Sequence, residues 1–385
     1  MEIIILGSTG TIGRNTLKVI ESSKSNFKIF GLTAKSNIKL LAKQACKYKP
    51  KYLVVEKESD IKKLKSLCGN YAKNISFHFG KDSLNKLSSH YRVSCVVSAI
   101  TGAAALEPTY NAVKAGKKVL LANKESLIMS GDLLLKVAKK NKASIIPIDS
   151  EHNALLQIVS MFGYNFISDR KKMPDNIDNI SLTASGGPFL GYTQKALSLV
   201  TSNQAIKHPN WKMGKKISID SATMMNKGLE VIEASLLFNI HPDQINVYIH
   251  PQSLIHALIT FHDGSTLSHM SYHDMKIPIS YALNWPNRQK FTKKIKPLDG
   301  TYELRKIKKG DYPCYDLCIK ALKIGKNATT IINAANEVAV KYFLQNKIKF
   351  TDIPVIIKDV LKNSKVGNIS YFISLFLSSS HIGLL

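Results

Sequence analysis

At 385 residues, with 44% hydrophobic content and a mean hydropathy near zero, the chain is long enough for two or three folded domains. No apolar run approaches the ~18 residues of a membrane span, which excludes a membrane-embedded protein of helical type. The net charge of +27 is carried by lysines scattered through nearly every segment, without an aromatic-interleaved stripe. That distribution argues against nucleic-acid binding and for a positive field that attracts phosphorylated ligands.

Residues 2–7 read as a buried strand with neither a basic leader nor a transit peptide before it, so no targeting segment is expected. Gly7-Ser-Thr-Gly10-Thr-Ile-Gly13 follows at once, then a helical stretch from Arg14 to Ser22. Strand and helix patterns alternate from there: 27–33, 38–48, 52–55, 59–67, 75–78 and 93–98, with later strands at 119–121 and 144–148. This βαβ rhythm predicts an α/β fold whose first 149 residues form a Rossmann-like, doubly wound parallel sheet. A less regular middle, 150–284, reads as an α+β catalytic domain, and Lys-rich residues 285–311 as a linker. From 312 to 385 a C-terminal helical domain is expected, with helices at 316–323, 329–345 and 353–362. Five cysteines without CxxC spacing fit a reducing cytoplasm, and Cys314 and Cys318 read either as a redox pair or as small residues on one helix.

A glycine-rich turn between strand and helix suits a dinucleotide, because glycines admit the pyrophosphate and the helix N-terminus holds it. An NAD site would place an acid about 20 residues on, against the ribose 2′-hydroxyl. The stretch Thr33-Ala34-Lys35-Ser36-Asn37 has none, and Lys35, Ser36 and Asn37 favour a 2′-phosphate, hence NADPH. Asp149-Ser150-Glu151-His152 follows a predicted strand, the usual edge of a ligand crevice. Asn226, Lys227 and Glu230 share one face of a helix at i, i+3 and i+4 spacing. If Asp149, Glu151 and Glu230 meet, they form a hard, all-oxygen site for Mg²⁺ or Mn²⁺. The same residues taken singly also read as a helix cap, a first-turn acid and a solvated glutamate.

Seven segments in order, GSTGTIG (7–13), LLANKES (120–126), PIDSEHNA (147–154), TASGGPF (183–189), HPNWKMG (208–214), DSATMMNKGLE (220–230) and HPQS (250–253), closely resemble the 1-deoxy-D-xylulose 5-phosphate reductoisomerase family. The resemblance runs to about residue 355. It implies NADPH- and divalent-metal-dependent conversion of 1-deoxy-D-xylulose 5-phosphate, a small phosphorylated sugar, into 2-C-methyl-D-erythritol 4-phosphate by a cytoplasmic homodimer. Carried over residue by residue, it puts the metal ligands at Asp149, Glu151 and Glu230. Substrate contacts fall on Lys124, Ser150, Glu151, Ser185, His208, Ser221, Asn226, Lys227 and Glu230, with catalytic roles for Lys124, Glu151 and His208. Contacts to NADPH fall on Thr9, Gly10, Thr11, Ile12, Asn37, Asn123, Glu125 and Gly214, beside Lys35 and Ser36, where a basic residue is shifted by one from the family pattern.

On this reading residues 208–214 form a lid, or else Trp211 is simply a loop aromatic. Gly186-Gly187-Pro188 is either part of a phosphate cradle or a plain turn. Lys124 either neutralises the acids or is solvated, and His152 either orients a carboxylate or packs against the sheet. His241, His250, His256, His262, His269 and His273 fit no zinc template and read as structural. The tail after 362 departs from the family pattern, being rich in Ser, Ile and Leu, and is expected to touch no site residue.

Overall fold

The computed structural model describes residues 1–23, 27–163, 173–207, 209–210, 214–290 and 299–368. Ile3, Ile4, Ile5 and Leu6 of β1 (Glu2–Leu6) are all fully buried, as a strand covered on both faces requires. It lies inside a seven-stranded sheet whose order is β4-β3-β2-β1-β5-β6-β7. The others are β2 (Lys28–Ala34), β3 (Tyr52–Val55), β4 (Ser76–Phe79), β5 (Cys95–Ser98), β6 (Lys118–Leu121) and β7 (Ser144–Pro147). Every neighbouring pair is parallel. The order reverses direction between β1 and β5, and a ligand crevice is expected beyond the carboxyl ends of those two strands.

Helices α1 (Thr11–Ser22), α2 (Ile38–Tyr48), α3 (Ser59–Cys68), α4 (Gly80–Ser88), α5 (Leu106–Lys114), α6 (Lys124–Ser130), α7 (Asp132–Lys140) and α8 (Ser150–Met161) connect or follow the strands. Helix α1 starts at Thr11, three residues before the predicted start, because Gly10 takes the N-cap. Periodicity did not reveal α4 to α7. In α6 the reason is plain: residues 125–130 are all buried, so the helix has no polar face to alternate with an apolar one.

The middle of the chain forms a second, mixed sheet of order β11-β10-β8-β9-β12. Its strands are β8 (Ile177–Ala184), β9 (Ile245–Ile249), β10 (Ile255–Phe261), β11 (Thr266–Met270) and β12 (Arg305–Lys306). The two-residue β12 pairs with β9 and lies within the 285–311 stretch, too short for its alternation to register in the sequence. One continuous core runs from Ile146 and Ile148 through Leu155 of α8 to Ile180 and Val247 of the second sheet. The crevice therefore lies where the two sheets meet.

The helices Pro313–Ile324, Ala328–Leu344 and Asp352–Asn363 pack on one another, and the second also packs on α6. Thr329 Oγ1 donates to the Ile128 carbonyl and Thr330 Oγ1 to that of Met129, both at 3.0 Å. These hydroxyls satisfy carbonyls that the end of α6 leaves open. Cys314 and Cys318 are buried on one helix, Cys318 with its sulfur 3.1 Å from Met225 Sδ, and all five cysteines are free thiols. Tail residues 369–385 lie outside the described residues.

Candidate active site

Residues 7–10 form the turn between β1 and α1, held from outside by β2 and α2. Gly7 N donates to Thr33 Oγ1 and Ser8 N to the Thr33 carbonyl, each at 2.9 Å. Ser8 Oγ donates to Gln44 Oε1 at 2.7 Å, and Gln44 Nε2 returns a bond to the Ser8 carbonyl. Gly13 passes so close beneath the turn that a Cβ there would stand 2.5 Å from both Gly7 O and Ser8 Cα. No side chain caps α1, which leaves its dipole and first amides to an anion. Farther along, Asn37 Oδ1 caps α2 by accepting from Leu40 N. Lys35 reaches across to Glu56 at 3.0 Å, an acid that the linear reading of residues 33–37 did not count.

The acids converge because three helix N-termini aim at one point. Asp149 is the N-cap of α8 and accepts from Ser150 N at 2.9 Å, while Glu151 lies in the first turn and accepts from Ser150 Oγ. Asn123 caps α6 through Ser126 N at 2.8 Å, which aims Lys124 inward. Met224, in the left-handed region at φ 59°, turns the chain into the helix Met225–Leu237. That conformation is costly for a long side chain, and strain of this kind clusters at functional sites. Asp149 is thus both a cap and a member of the cluster, whereas Glu230, far from facing water, is 1% exposed.

Lys124 Nζ contacts Asp149, Glu230 Oε1 at 3.0 Å and Asn226 Oδ1 at 3.1 Å. Lys227 Nζ contacts Glu151 Oε1 at 2.7 Å and also Glu230 Oε2, while Asn226 Nδ2 donates to Glu230 Oε1. One oxygen from each of Asp149, Glu151 and Glu230 lies within 4.8 Å of the other two. A six-coordinate ion with metal–oxygen bonds of about 2.1 Å needs ligand oxygens about 3 to 4 Å apart. The trio fits one hard divalent cation. Three carboxylates beside two ammonium groups leave one negative charge, and a divalent ion would reverse it, suiting an anionic substrate.

The titration behaviour expresses this crowding. Burial raises the Asp149 carboxyl, but the adjacent Lys124 ammonium outweighs it and holds the group below its ordinary range. Glu230 goes the other way, pushed up by burial and then by Glu151, despite its two lysine partners. Burial opposes the charge on Lys124 and Lys227, yet the surrounding carboxylates keep both raised. Adding a cation would relieve the carboxylate repulsion.

His152 Nε2 donates to the Glu230 backbone carbonyl at 2.9 Å and lies 3.6 Å from Glu233 Oε2, so it supports the cluster from behind. Asp149, His152 and Glu233 also bring three ligand atoms within 4.8 Å. We favour the all-oxygen trio because its three members line the open cavity, while His152 and Glu233 are sealed behind it. Burial, with repulsion from Asp149 and Glu230, pushes Glu233 up to about 7. An acid raised in the folded state contributes stability that is complete below its unfolded value near 4.5 and lost as pH rises through about 7. Thermal scans in EDTA between pH 5 and 8 should therefore show a Tm decline in the parent chain that Glu233→Gln flattens; equal slopes would remove Glu233 as its source.

The cavity measures about 220 Å³. Thr11, Ile12, Asn123 and Glu125, read above as nucleotide contacts, line it together with Lys124, Asp149, Ser150, Glu151, Ser185, Ser221, Asn226, Lys227 and Glu230. Thr9, Gly10, Lys35, Ser36, Asn37 and Gly214 are outside its wall, and His208 and Trp211 lie outside the described residues. Gly187 lies so near the helix Lys215–Ala222 that a Cβ would meet Ser221 O at 2.9 Å, which brings Ser185 and Ser221 to one wall. The turn 186–188 therefore packs directly on that helix. Asn210 Nδ2 donates to the Pro251 carbonyl and to Ser253 Oγ.

Sequence reasoning left out Met224, Ser253, Met275 and His256, all in the cavity wall. His256, grouped with the structural histidines in the linear reading, is buried at the cavity edge, where burial pushes it down to about 4. No spacing rule marks it, because a lone histidine on a strand has no sequence partner. His250 is structural: its Nδ1 pairs with the Glu303 carbonyl and its Nε2 accepts from Leu254 N and Ile255 N.

Comparison with known proteins agrees with this geometry. Residues 3–131 match the family model of 1-deoxy-D-xylulose 5-phosphate reductoisomerase, 145–238 match its C-terminal domain, and 270–376 match a further DXP reductoisomerase C-terminal domain. The 1-deoxy-D-xylulose 5-phosphate reductoisomerase of Caldanaerobacter subterraneus subsp. tengcongensis is 44% identical over 368 residues, 94% of this chain and 92% of its own length. That of Tolumonas auensis is 43% identical over 372 residues, covering 96% and 93%. A crystal structure of DOX-P reductoisomerase in complex with NADPH, fosmidomycin and magnesium superposes with a TM-score of 0.89 at 40% identity, covering 95% of this chain and 90% of that one. The Zymomonas mobilis enzyme in complex with NADPH gives 0.85 at 35% identity, covering 95% and 93%. With this agreement over nearly its whole length, the chain belongs to the 1-deoxy-D-xylulose 5-phosphate reductoisomerase family.

Proposed function

We propose that this chain rearranges 1-deoxy-D-xylulose 5-phosphate and reduces the product to 2-C-methyl-D-erythritol 4-phosphate, using NADPH and Mg²⁺ or Mn²⁺. The observation that carries the reading is the convergence of Asp149, Glu151 and Glu230 in the wall of a cavity that Thr11 and Ile12 of the Gly7–Gly13 turn also line. When bound, the ion supplies Lewis-acid stabilisation to negative charge on adjacent substrate oxygens, and the dinucleotide supplies hydride.

The chain's own residues bind, orient and shield. Asp149, Glu151 and Glu230 would hold the ion; Thr9 to Ile12, Asn123, Glu125 and Gly214, with Lys35, Ser36 and Asn37 at the far end, would hold NADPH. Ser185, Ser221, Asn226 and Lys227 offer donors of hydroxyl, amide and ammonium type, the mixture a phosphate needs. Lys124 Nζ, buried among carboxylates, is placed to donate to a substrate hydroxyl. Ser150 and the Glu151 carboxylate, already joined by a short hydrogen bond, form a path for a proton at the reacting end. Residues 208–214, with His208 and Asn210, would close over the site and exclude water.

A homodimer is the proposed working form, on the strength of family membership. A reducing cytoplasm is its proposed compartment, which suits five free thiols, and no helix among the described residues is long and apolar enough to cross a membrane. Following NADPH oxidation with 1-deoxy-D-xylulose 5-phosphate as substrate, with and without EDTA, tests the function. Turnover that EDTA stops and Mg²⁺ or Mn²⁺ restores is expected. Chelator-insensitive turnover would point to a plain dehydrogenase.

A further inference from the structure

In the wall of the cavity lies a second charged cluster, distinct from the metal-ligand trio. Lys216, in the first turn of the helix Lys215–Ala222, directs Nζ to Asp220 Oδ2 at 2.8 Å and to Glu125 Oε1 at 3.7 Å. Glu125 belongs to α6 and Asp220 to the helix Lys215–Ala222, so this lysine bridges two parts of the chain that are far apart in sequence. Both carboxylates line the cavity, and they are only 9% and 2% exposed. Their other partners are neutral amides: Asn123 Nδ2 donates to Glu125 Oε2 at 2.9 Å, and Asn336 Nδ2 donates to Asp220 Oδ1 at 2.8 Å. Glu337 adds a further negative charge nearby.

We propose that Lys216 is a positioning residue for NADPH: it neutralises Glu125 and Asp220 in the cavity wall and ties the helix Lys215–Ala222 to α6. The inference rests on the reading of this crevice as a dinucleotide site. NADPH is a polyanion, and a wall carrying two buried, uncompensated carboxylates repels it, the more strongly because little water reaches them to screen the field. Burial alone would drive the Lys216 proton off, but Asp220 and Glu125 hold it on, so the lysine stays charged. Gly214 is the N-cap of the Lys215–Ala222 helix, so where Lys216 pins that helix, the Gly214 backbone is fixed with it.

The test is NADPH titration, read by reduced-nicotinamide fluorescence, on the full chain and three variants. Lys216→Met should weaken NADPH binding at least tenfold and raise the NADPH KM in parallel. Its kcat, its KM for 1-deoxy-D-xylulose 5-phosphate and its Mn²⁺ affinity should stay within threefold of the parent. Lys216→Arg should restore most of the affinity. In Lys216→Met/Asp220→Asn, where one of the two carboxylates is also removed, affinity should recover toward the parent value, although packing has been altered twice. A merely structural lysine would instead lower Tm, shift all constants together and make the double variant worse than the single. Unchanged NADPH affinity in Lys216→Met, or a double variant weaker than the single, overturns the proposal. A parent chain that does not bind NADPH at all overturns the functional reading beneath it, a separate outcome.

Discussion

Glu230→Gln is expected to reduce metal-dependent turnover about a thousandfold, roughly 4 kcal/mol in transition-state stabilisation. Glutamine keeps the shape of the side chain and most of its packing but removes the charge on which three donors converge. Glu230 Oε1 faces Lys124 and Asn226, and Oε2 faces Lys227, in a pocket with 1% exposure. With the carboxylate gone, Asp149 and Glu151 remain opposite two lysines, and the excess negative charge that calls for a divalent cation disappears. Calorimetric titration with Mn²⁺ should show the loss directly. NADPH binding should persist near the parent affinity, because the Gly7–Gly13 turn and its supports at Thr33 and Gln44 are untouched. Parent-like metal affinity and activity in this variant would refute the assignment of the trio.

Gly13→Ala is expected to produce the opposite pattern. A methyl group would meet backbone, Gly7 O and Ser8 Cα at 2.5 Å, and neither has a rotamer through which to yield. The turn must move, at a cost of about 1–3 kcal/mol of stability, as for other overpacked sites. Because α1 and the turn together present the amides that would hold the pyrophosphate, NADPH affinity should fall by about 100-fold or more, near 2.7 kcal/mol. Mn²⁺ affinity should be retained, since the trio is built on α8 and the helix Met225–Leu237. Fluorescence titration and a thermal scan read both effects, and normal NADPH binding would show that the turn has more room than the structure indicates.

The two substitutions therefore separate the halves of the site, one binding the ion and the other the dinucleotide. The C-terminal helices belong to the same machinery. Thr329 and Thr330 close the end of α6, whose first residue is Lys124, and Asn336 holds the Asp220 carboxylate. The sequence reading had expected no contact between the unusual tail and the site. That expectation concerned residues beyond 362, whereas the buttress is formed earlier, by the helix Ala328–Leu344.

Much of this was legible in the chain itself. Buried strands such as Ile3-Ile4-Ile5-Leu6 announce themselves because every residue must be apolar when both faces are covered. The glycine turn was equally plain, since only glycine tolerates the approach made at Gly13. The identities of Asp149, Glu151 and Glu230 also stood out, as acids at a strand end and on one helix face. What neighbours along the chain encode is local: period, turn chemistry and the kind of group on offer. Whether those groups meet depends on packing between segments far apart in sequence. Only the tertiary structure decided that α6, α8 and the helix Met225–Leu237 aim their N-termini at one point, that His152 stands behind Glu230, and that Lys216 joins Glu125 to Asp220. Helix α6 shows the reason most clearly, for its burial on all sides hides it from any periodic reading and is also what lets it carry Lys124 into the centre of the site.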